Sequence, residues 1–591
     1  MMRQLISGVL LALLRLPSLF SAPANADKPA AADVQLRAMT DELNRSKGLQ
    51  LNNLEKPYFL QYTISDSENF VVSASLGGII SSNSVHLRQP KLQVRVGDYK
   101  FDNTNSVFTH NLRFGLMPIE DDYGAMRANL WLWTDVLYKA AVDQITRKRT
   151  ALTEIADPDQ TPDFAPVKPV PSLQPVSPSK LDEEALRKMV RSVSAVFAEH
   201  GDITASQVRL RSISSTYRLV NSEGTVVRIP QQLADVGILA SAFAPDGTRV
   251  WNHHFVTTVL ASQLPPEKQL TEAAKTMAVE TDSLVKAPLG EDYSGPVLFE
   301  REAAAEMMAQ VLTDALRLPR KPVSPPGANV AEAQIIENVW ASKVNAKVMP
   351  DWLTLVDDPS KDRFEDLPLT GQYAVDDEGV PAERVLLVEK GVLKTFLFSR
   401  EPVRKFNASN GHGRLPGGFG SEAAAIGNLF VQTEGGVPDA QLKAKLLEKV
   451  KAAGLKYGLI IRRMDFPSTA NFQELESLGR QLQKNGVART LNTPLLVYKA
   501  YEDGREELLR GLRFKEFSAK DLRDIAGASD HPYVLNYVNN GSSFNLADYG
   551  SEATTSSVIC PSLLFDSIEL ARAENEGNRL PVVPSPALDP H

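Results

Sequence analysis

Apolar and polar positions along this chain change period several times, and each change marks an element. In "VQLRAMTDELNRSKGLQ", Val34 to Gln50, apolar residues return every three to four positions, which predicts a helix. From Tyr58 to Phe101, short β-rich runs broken by turn residues predict a hairpin or meander. "YGAMRANLWLWTDVLYKAAVDQITRKRTALTE", Tyr123 to Glu154, returns to the helical period and predicts a long helix. Then seven prolines, Pro158, Pro162, Pro166, Pro169, Pro171, Pro175 and Pro178, interrupt every period. Proline fixes φ and removes a backbone donor, so this stretch is expected as an extended linker or a strap over the surface.

Beyond it, Leu181–Asp202 and Glu267–Ala287 carry helical patterns. Between them lie two expected hairpins, one turning at Asn221-Ser222-Glu223-Gly224 and one at Pro245-Asp246-Gly247. From Asp292 onward the chain is mostly strand-like with glycine-rich turns, plus helices near 439–453 and 470–484. The pattern predicts an α+β protein with an N-terminal αβ half and a β-rich C-terminal half. The expected divisions are an αβ domain at 27–155, the proline-rich linker at 156–180, a second αβ region at 181–290 and the C-terminal domain at 291–580.

The stretch "GPVLFEREAAAEMMAQVLTDALRLPRK", Gly295 to Lys321, reads as a buried strand running into an amphipathic helix that Pro319 ends. Ala304, Met307, Met308, Val311, Leu312 and Ala315 share one face. Glu306, Gln310 and Asp314 form a stripe on the other, and such a stripe ordinarily faces solvent.

The N-terminus changes the picture. Arg3, the apolar run Leu5–Leu14 and the small-residue site Ala24-Asn25-Ala26 match a secretory signal peptide, with cleavage expected after Ala26. Periplasmic or secreted localisation follows as an expectation. Removal of that segment takes away two bases and no acid, moving the net charge from −8 to −10. No other stretch is long and apolar enough to suggest a membrane span. With 72 acidic against 64 basic residues and no basic run, nucleic acid is not an expected partner. The single cysteine, Cys560, precludes an internal disulfide and is expected as a small buried apolar residue.

Five stretches, in order, resemble the TldD/TldE (PmbA) family, also called modulator of DNA gyrase. They are "GPVLFEREAAAEMM", "TGQYAVDDEGVPAERVLLVEKGVLKTFLFSR" (370–400), "SNGHGRLPGGFGSEAAAIGNLFV" (409–431), "VYKAYEDGREELLRGLRFKEFSAKDLRDIAGAS" (497–529) and "VICPSLLFDSIEL" (558–570). The resemblance implies a TldD/PmbA-type C-terminal domain. It also implies a helix that in active members carries His-Glu-x-x-x-His, with the glutamate as base and a C-terminal cysteine as further zinc ligand. On this chain the histidine positions fall at Ala309 and Asp314 and the glutamate position at Gln310. Ligands five apart on an ideal helix point about 140° from one another. The family often relieves this with a glycine, where this chain has Thr313.

Alanine has no donor for a metal and a glutamine amide is no general base. The loop expected to hold the family cysteine, roughly Phe544–Thr555, contains neither Cys nor His. No catalytic residue and no bound metal or other cofactor is therefore expected; zinc belongs to the active members. None of the eight histidines forms a metal-binding helical pair with an acid, and His253-His254 in a strand point to opposite faces. Glu306, His412 and Arg414 are the candidate cleft residues, His412 lying in a glycine-rich loop.

Three functions stay open on these residues. One is a non-catalytic subunit that binds peptide or unfolded polypeptide beside a metal-bearing TldD-like partner. Another is a stand-alone homodimer that binds peptides through sheet edges. The third is an active hydrolase with a rebuilt site, such as a hard cation on Glu306 and Asp314.

Overall fold

A computed structural model describes residues 33–110, 112, 114–156, 158–176, 180–327, 338–469, 491–540 and 553–573. The signal segment at 1–26, the helix expected at 470–484 and residues 544–552 of the family cysteine loop lie outside the described residues.

The N-terminal half is built on one sheet. Strands β1 (Pro57–Ser75) and β2 (Gly78–Val96) form a hairpin turned at Leu76-Gly77, both at positive φ. The short runs expected there are instead two strands of 19 residues each. Serines inside them do not break the ladder, because they pair across it: Ser73 Oγ and Ser81 Oγ lie 2.8 Å apart. A short piece of the proline strap, β3 (Pro171–Leu173), runs parallel to Val226–Arg228. Strands β4 (Ile203–Asn221), β5 (Val226–Phe243) and β6 (Arg249–Thr258) complete the sheet, in the order β2-β1-β4-β5-β3 with β6 also on β5. Both expected hairpin turns are present, with Gly224 at φ 105° and Gly247 at φ 82°. The segments on either side of the strap thus meet in one sheet through the β1–β4 pair.

Four helices cover one face of this sheet. Three begin at an aspartate whose side chain accepts an orphan N–H. Asp33 caps α1 (Val34–Ser46), Asp122 caps α2 (Tyr123–Leu152) and Asp182 caps α3 (Glu183–Ala195). The fourth is α4 (Glu267–Lys286). Helices α1 and α2 bury Leu36, Met39 and Met126 against Tyr62 and Ile64. Helices α3 and α4 bury Val190, Val193 and Met277 against Phe70, Val72 and Leu210. The strand positions used on β1 are all even-numbered, so the odd-numbered ones face the C-terminal half. Gln61 and Tyr217, on that other face, donate to the carbonyl of Asp377 at 3.1 and 3.3 Å.

The strap is more than a surface cover. Asp163, Phe164 and Ala165 are buried. Asp163 is bound by Lys148 at 2.6 Å, and the Ala165 carbonyl accepts two bonds from Arg400 at 2.9 and 2.7 Å.

The C-terminal half centres on an eleven-stranded sheet. Its strands are β7 (Tyr293–Phe299), β8 (Leu353–Asp357), β9 (Val385–Glu389), β10 (Val392–Leu393), β11 (Asn428–Thr433) and β12 (Gly458–Met464). They continue with β13 (Pro494–Ala500), β14 (Glu506–Leu509), β15 (Leu512–Phe514), β16 (Ile525–Asn539) and β17 (Thr554–Arg572). The order is β10-β9-β8-β11-β17-β7-β12-β13-β14, with β15 and β16 also paired to β17. Strand alternation sends Val297, Phe299 and Ile461 to one face, where α5 (Glu302–Ala315) packs. Leu298, Ile460 and Leu564 point to the other, against α6 (Asp439–Ala452). Cys560 is a free thiol at the centre of the first layer. No helix among the described residues is long and apolar enough to cross a membrane.

Candidate functional site

Helix α5 starts at a strained corner. Arg301, its N-cap, has φ 42°, and its N–H is held by Ser562 Oγ at 3.1 Å. The helix that follows is enclosed on nearly all sides. The stripe expected to face solvent does not: Glu306 is 0% and Gln310 5% exposed. An amphipathic pattern identifies the polar face but not what covers it. Here β6 of the N-terminal sheet and the β12 end of the C-terminal sheet close over it.

The polar groups under that cover are paired with one another. Glu306 Oε2 accepts the Met464 N–H at 2.8 Å, and His253 Nε2 donates to the Met464 carbonyl at 2.8 Å. The two backbone groups of one residue are therefore clamped from both halves of the molecule. Glu306 Oε1 lies 4.0 Å from His253 Nε2. Next to them Arg463 bonds Asn252 and Glu280, each at 2.9 Å, and Glu302 at 3.3 Å. Asn252, His253 and Glu280 come from the N-terminal half, the rest from the C-terminal half, so this cluster stitches the seam between them.

The positions expected for family zinc chemistry do not form a metal site. Ala309 carries no donor. Gln310 is spent on the backbone, donating to the Asp465 carbonyl and accepting from the Asn492 N–H, both at 3.2 Å. Asp314 is ion-paired to Arg317 one turn on. No group of three or more His, Cys, Asp or Glu side chains gathers in metal-binding geometry among the described residues. The donor set at this place does not fit a zinc ion.

Nor do Glu306, His412 and Arg414 meet as a cleft. His412 is wholly buried, its Nε2 3.3 Å from Asp357 Oδ1 and its Nδ1 2.9 Å from the Asn410 carbonyl. Glu306 is buried at the seam instead. Arg414 lies over the Tyr373 ring at 4.1 Å and donates to the Thr555 carbonyl at 3.0 Å. The glycine-rich loop holding His412 is a latch. Gly411, at φ 75°, comes so close to the Asp376–Pro381 turn that a Cβ there would sit 2.1 Å from the Pro381 carbonyl. Asp376 holds the other side, accepting the N–H groups of Glu378, Val380 and Gly413 at 3.0, 2.9 and 2.9 Å. The Asp-Asp-Glu-Gly signature therefore builds this turn.

Burial shifts the two seam groups in opposite directions. It raises the Glu306 carboxyl well above its ordinary range, helped by Glu302 nearby. It lowers the His253 imidazole to about 3, helped by Arg463. The signs follow from linkage. Above about 4.5 the unfolded chain ionises this carboxyl while the folded chain keeps the proton, so stability falls as pH rises. Between 6.5 and about 3 the unfolded chain protonates the imidazole while the folded chain does not, so stability falls as pH drops. Glu306→Gln keeps an acceptor for Met464 and removes the first limb. Asp376, Glu378 and Glu401 are also raised by burial, so both proteins should lose stability as pH rises from 6. We expect the variant's thermal midpoint to fall less steeply than the wild type's, the difference being one proton's slope of at most ~1.4 kcal/mol per pH unit. Parallel profiles for the two proteins would remove Glu306 as the titrating group.

Comparison with known proteins places this geometry. Residues 292–473 match the PmbA/TldA metallopeptidase C-terminal domain. A metalloprotease of Archaeoglobus fulgidus is 42% identical over 79 residues, covering 13% of this chain and 17% of that protein. One of Methanothermobacter thermautotrophicus is 24% identical over 235 residues, covering 39% of this chain and 46% of that protein. The chain spans less than half the length of these curated relatives. In fold, TldE from Thermococcus kodakarensis superposes with a TM-score of 0.55 at 13% identity, over 90% of this chain and all of that one. A putative modulator of DNA gyrase from Thermotoga maritima gives 0.54 at 13% identity, over 87% and 96%. Residues 292–473 are therefore a PmbA/TldD-type metallopeptidase C-terminal domain, carried in a chain whose fold is that of TldE.

Proposed function

We propose that this chain is a non-catalytic member of its family, a subunit that binds peptide or unfolded polypeptide and works beside a metal-bearing TldD-like partner. The observation that carries the reading is the state of helix α5. Where active members have two histidines and a glutamate, this chain has an alanine, a glutamine held at both ends by backbone, and an aspartate paired to arginine. Function belongs to the site and not to the fold, so the family's peptidase chemistry does not transfer with the scaffold. The signal-like N-terminus supports a site of work in the periplasm or outside the cell.

The test is metal content by mass spectrometry on protein purified without a metal-affinity tag, with cleavage of a mixed peptide library. We expect no stoichiometric metal and no cleavage by this chain alone, and cleavage on mixing with an exported relative that carries His-Glu-x-x-x-His. About one zinc per chain with chelator-sensitive cleavage would overturn the reading and favour a rebuilt site. Peptide binding by a homodimer, with no association to such a relative, would favour the stand-alone alternative.

A further inference from the structure

A cavity opens on the side of the N-terminal sheet that faces the C-terminal half, a short way along β6 from the seam. Its wall is formed by Arg209 on β4, Asp235 and Gly237 on β5, His254 and Phe255 on β6, and Ser468 beyond β12. It opens to solvent, and its enclosed volume is about 10 Å³, room for one group of about the size of a water molecule and no more.

The space exists because of one glycine. Gly237 sits in the ladder directly between Arg209 and Phe255. Its backbone does not require glycine: a Cβ there would meet only Leu239 Cδ1, at an ordinary 3.8 Å. A glycine inside a strand weakens it and often marks close approach of a ligand or another backbone. Here its one effect is to leave the gap.

The gap carries unbalanced charge. Asp235 is taken by Arg211, Nε to Oδ2 at 2.7 Å. Arg209 makes no ion pair or hydrogen bond with the described residues, and its Nε is buried without a partner. Two guanidiniums thus share one carboxylate, leaving a net positive charge. Burial works against the charged form of Arg209, with Asp235 its only favourable counter-charge. Arginine does not shed its proton in proteins, so an anion that enters the gap meets a cation without an ion-pair partner among the described residues. A planar guanidinium suits a carboxylate well. The adjoining wall is aromatic, Phe255 stacking on Phe466 with centroids 5.8 Å apart.

We propose that the gap at Gly237 is a subsite for a carboxylate carried by a bound peptide, held by Arg209 beside the Phe255 ring. This rests on the peptide-binding reading above and names what that binding recognises. The carboxylate can come from the C-terminus or from an acidic side chain.

The test uses the full-length protein and fluorescein-labelled eight-residue peptides of alanine and phenylalanine, read by anisotropy. One peptide has a free C-terminal acid, a second is its amide, and a third is the amide with one internal alanine replaced by aspartate. We expect the acid to bind at least tenfold more tightly than the plain amide. Recovery by the third peptide would extend the site to side-chain carboxylates; no recovery would confine it to the terminus. Gly237→Val, which fills the gap without a backbone clash, and Arg209→Gln should each erase the difference. Equal binding of acid and amide by the wild type, or a preference retained in Gly237→Val, overturns the subsite and leaves peptide binding standing. No binding of any peptide overturns both.

Discussion

Replacing Lys148 with methionine should destabilise the protein by ~3–5 kcal/mol, the usual cost of removing one member of a buried ion pair. The ammonium is 1% exposed and serves three acceptors: Asp163 Oδ2 at 2.6 Å and the carbonyls of Thr104 and Asp102 at 2.7 and 3.1 Å. Without it those carbonyls lose a donor, and Asp163 keeps only Arg320, at 3.3 Å, as a charged partner. Removing both charges is a different experiment. Lys148→Met with Asp163→Leu should recover part of the loss, because no lone charge is left buried opposite the methionine, while the Thr104 and Asp102 carbonyls and the Asp102 N–H that Asp163 accepts at 2.8 Å stay unpaired. Arg320 still holds the strap through the Pro162 and Thr161 carbonyls, each at 2.6 Å. Urea unfolding of the wild type, both single variants and the double variant measures the coupling. Proteolysis within 158–176 should be faster in Lys148→Met than in the double variant. A double variant no more stable than Lys148→Met would refute the account.

Asp376→Ala should be comparably severe, at ~3 kcal/mol or more. Three buried N–H groups lose their acceptor together, and each buried donor left unpaired costs ~1–3 kcal/mol. The loss should not stay local, since Gln61 and Tyr217 dock on the carbonyl of the very next residue. Gly411→Ala attacks the same contact from the other side, through a 2.1 Å collision with the Pro381 carbonyl at a residue already at φ 75°. If the signature turn is the latch described, both variants show the same early proteolysis near 376–382 and lowered thermal midpoints. A clear loss in one with wild-type behaviour in the other would mean that the loops are not energetically joined.

Much of the fold was legible because its signals are local. Helices α1 to α4 follow from their apolar period, and the turns at Gly224 and Gly247 from turn chemistry. The site was less legible, for a physical reason. The period of α5 assigns Glu306 and Gln310 to a polar face correctly, but coverage of that face comes from β6, a strand separated by a helix and a strand in sequence. The strand His253 occupies gave opposite faces for the two imidazoles; only the pairing of the halves puts His253 beside Glu306. The proline strap shows the same limit. Proline content announces an extended segment, while burial of Phe164 and Ala165 depends on Arg400, far along the chain. The available local signal was the short apolar run Phe164-Ala165 inside a polar, proline-rich stretch.

Strand β17 sets the order of events when the chain is made. It lies at the middle of the C-terminal sheet, with Leu563 beside Phe299 of β7 and Val558 beside Leu429 of β11. On the ribosome both neighbours emerge long before it, and they cannot close into one sheet without it. Domains usually fold as they are synthesised, N-terminal first. Here the apolar faces of β7, β8, β11 and β12 have to wait, and the long sequence separation makes the closing step slow. A nascent chain of this protein should therefore bind holdase chaperones until β17 is free of the exit tunnel, and a premature stop anywhere before Thr554 should yield no folded C-terminal half.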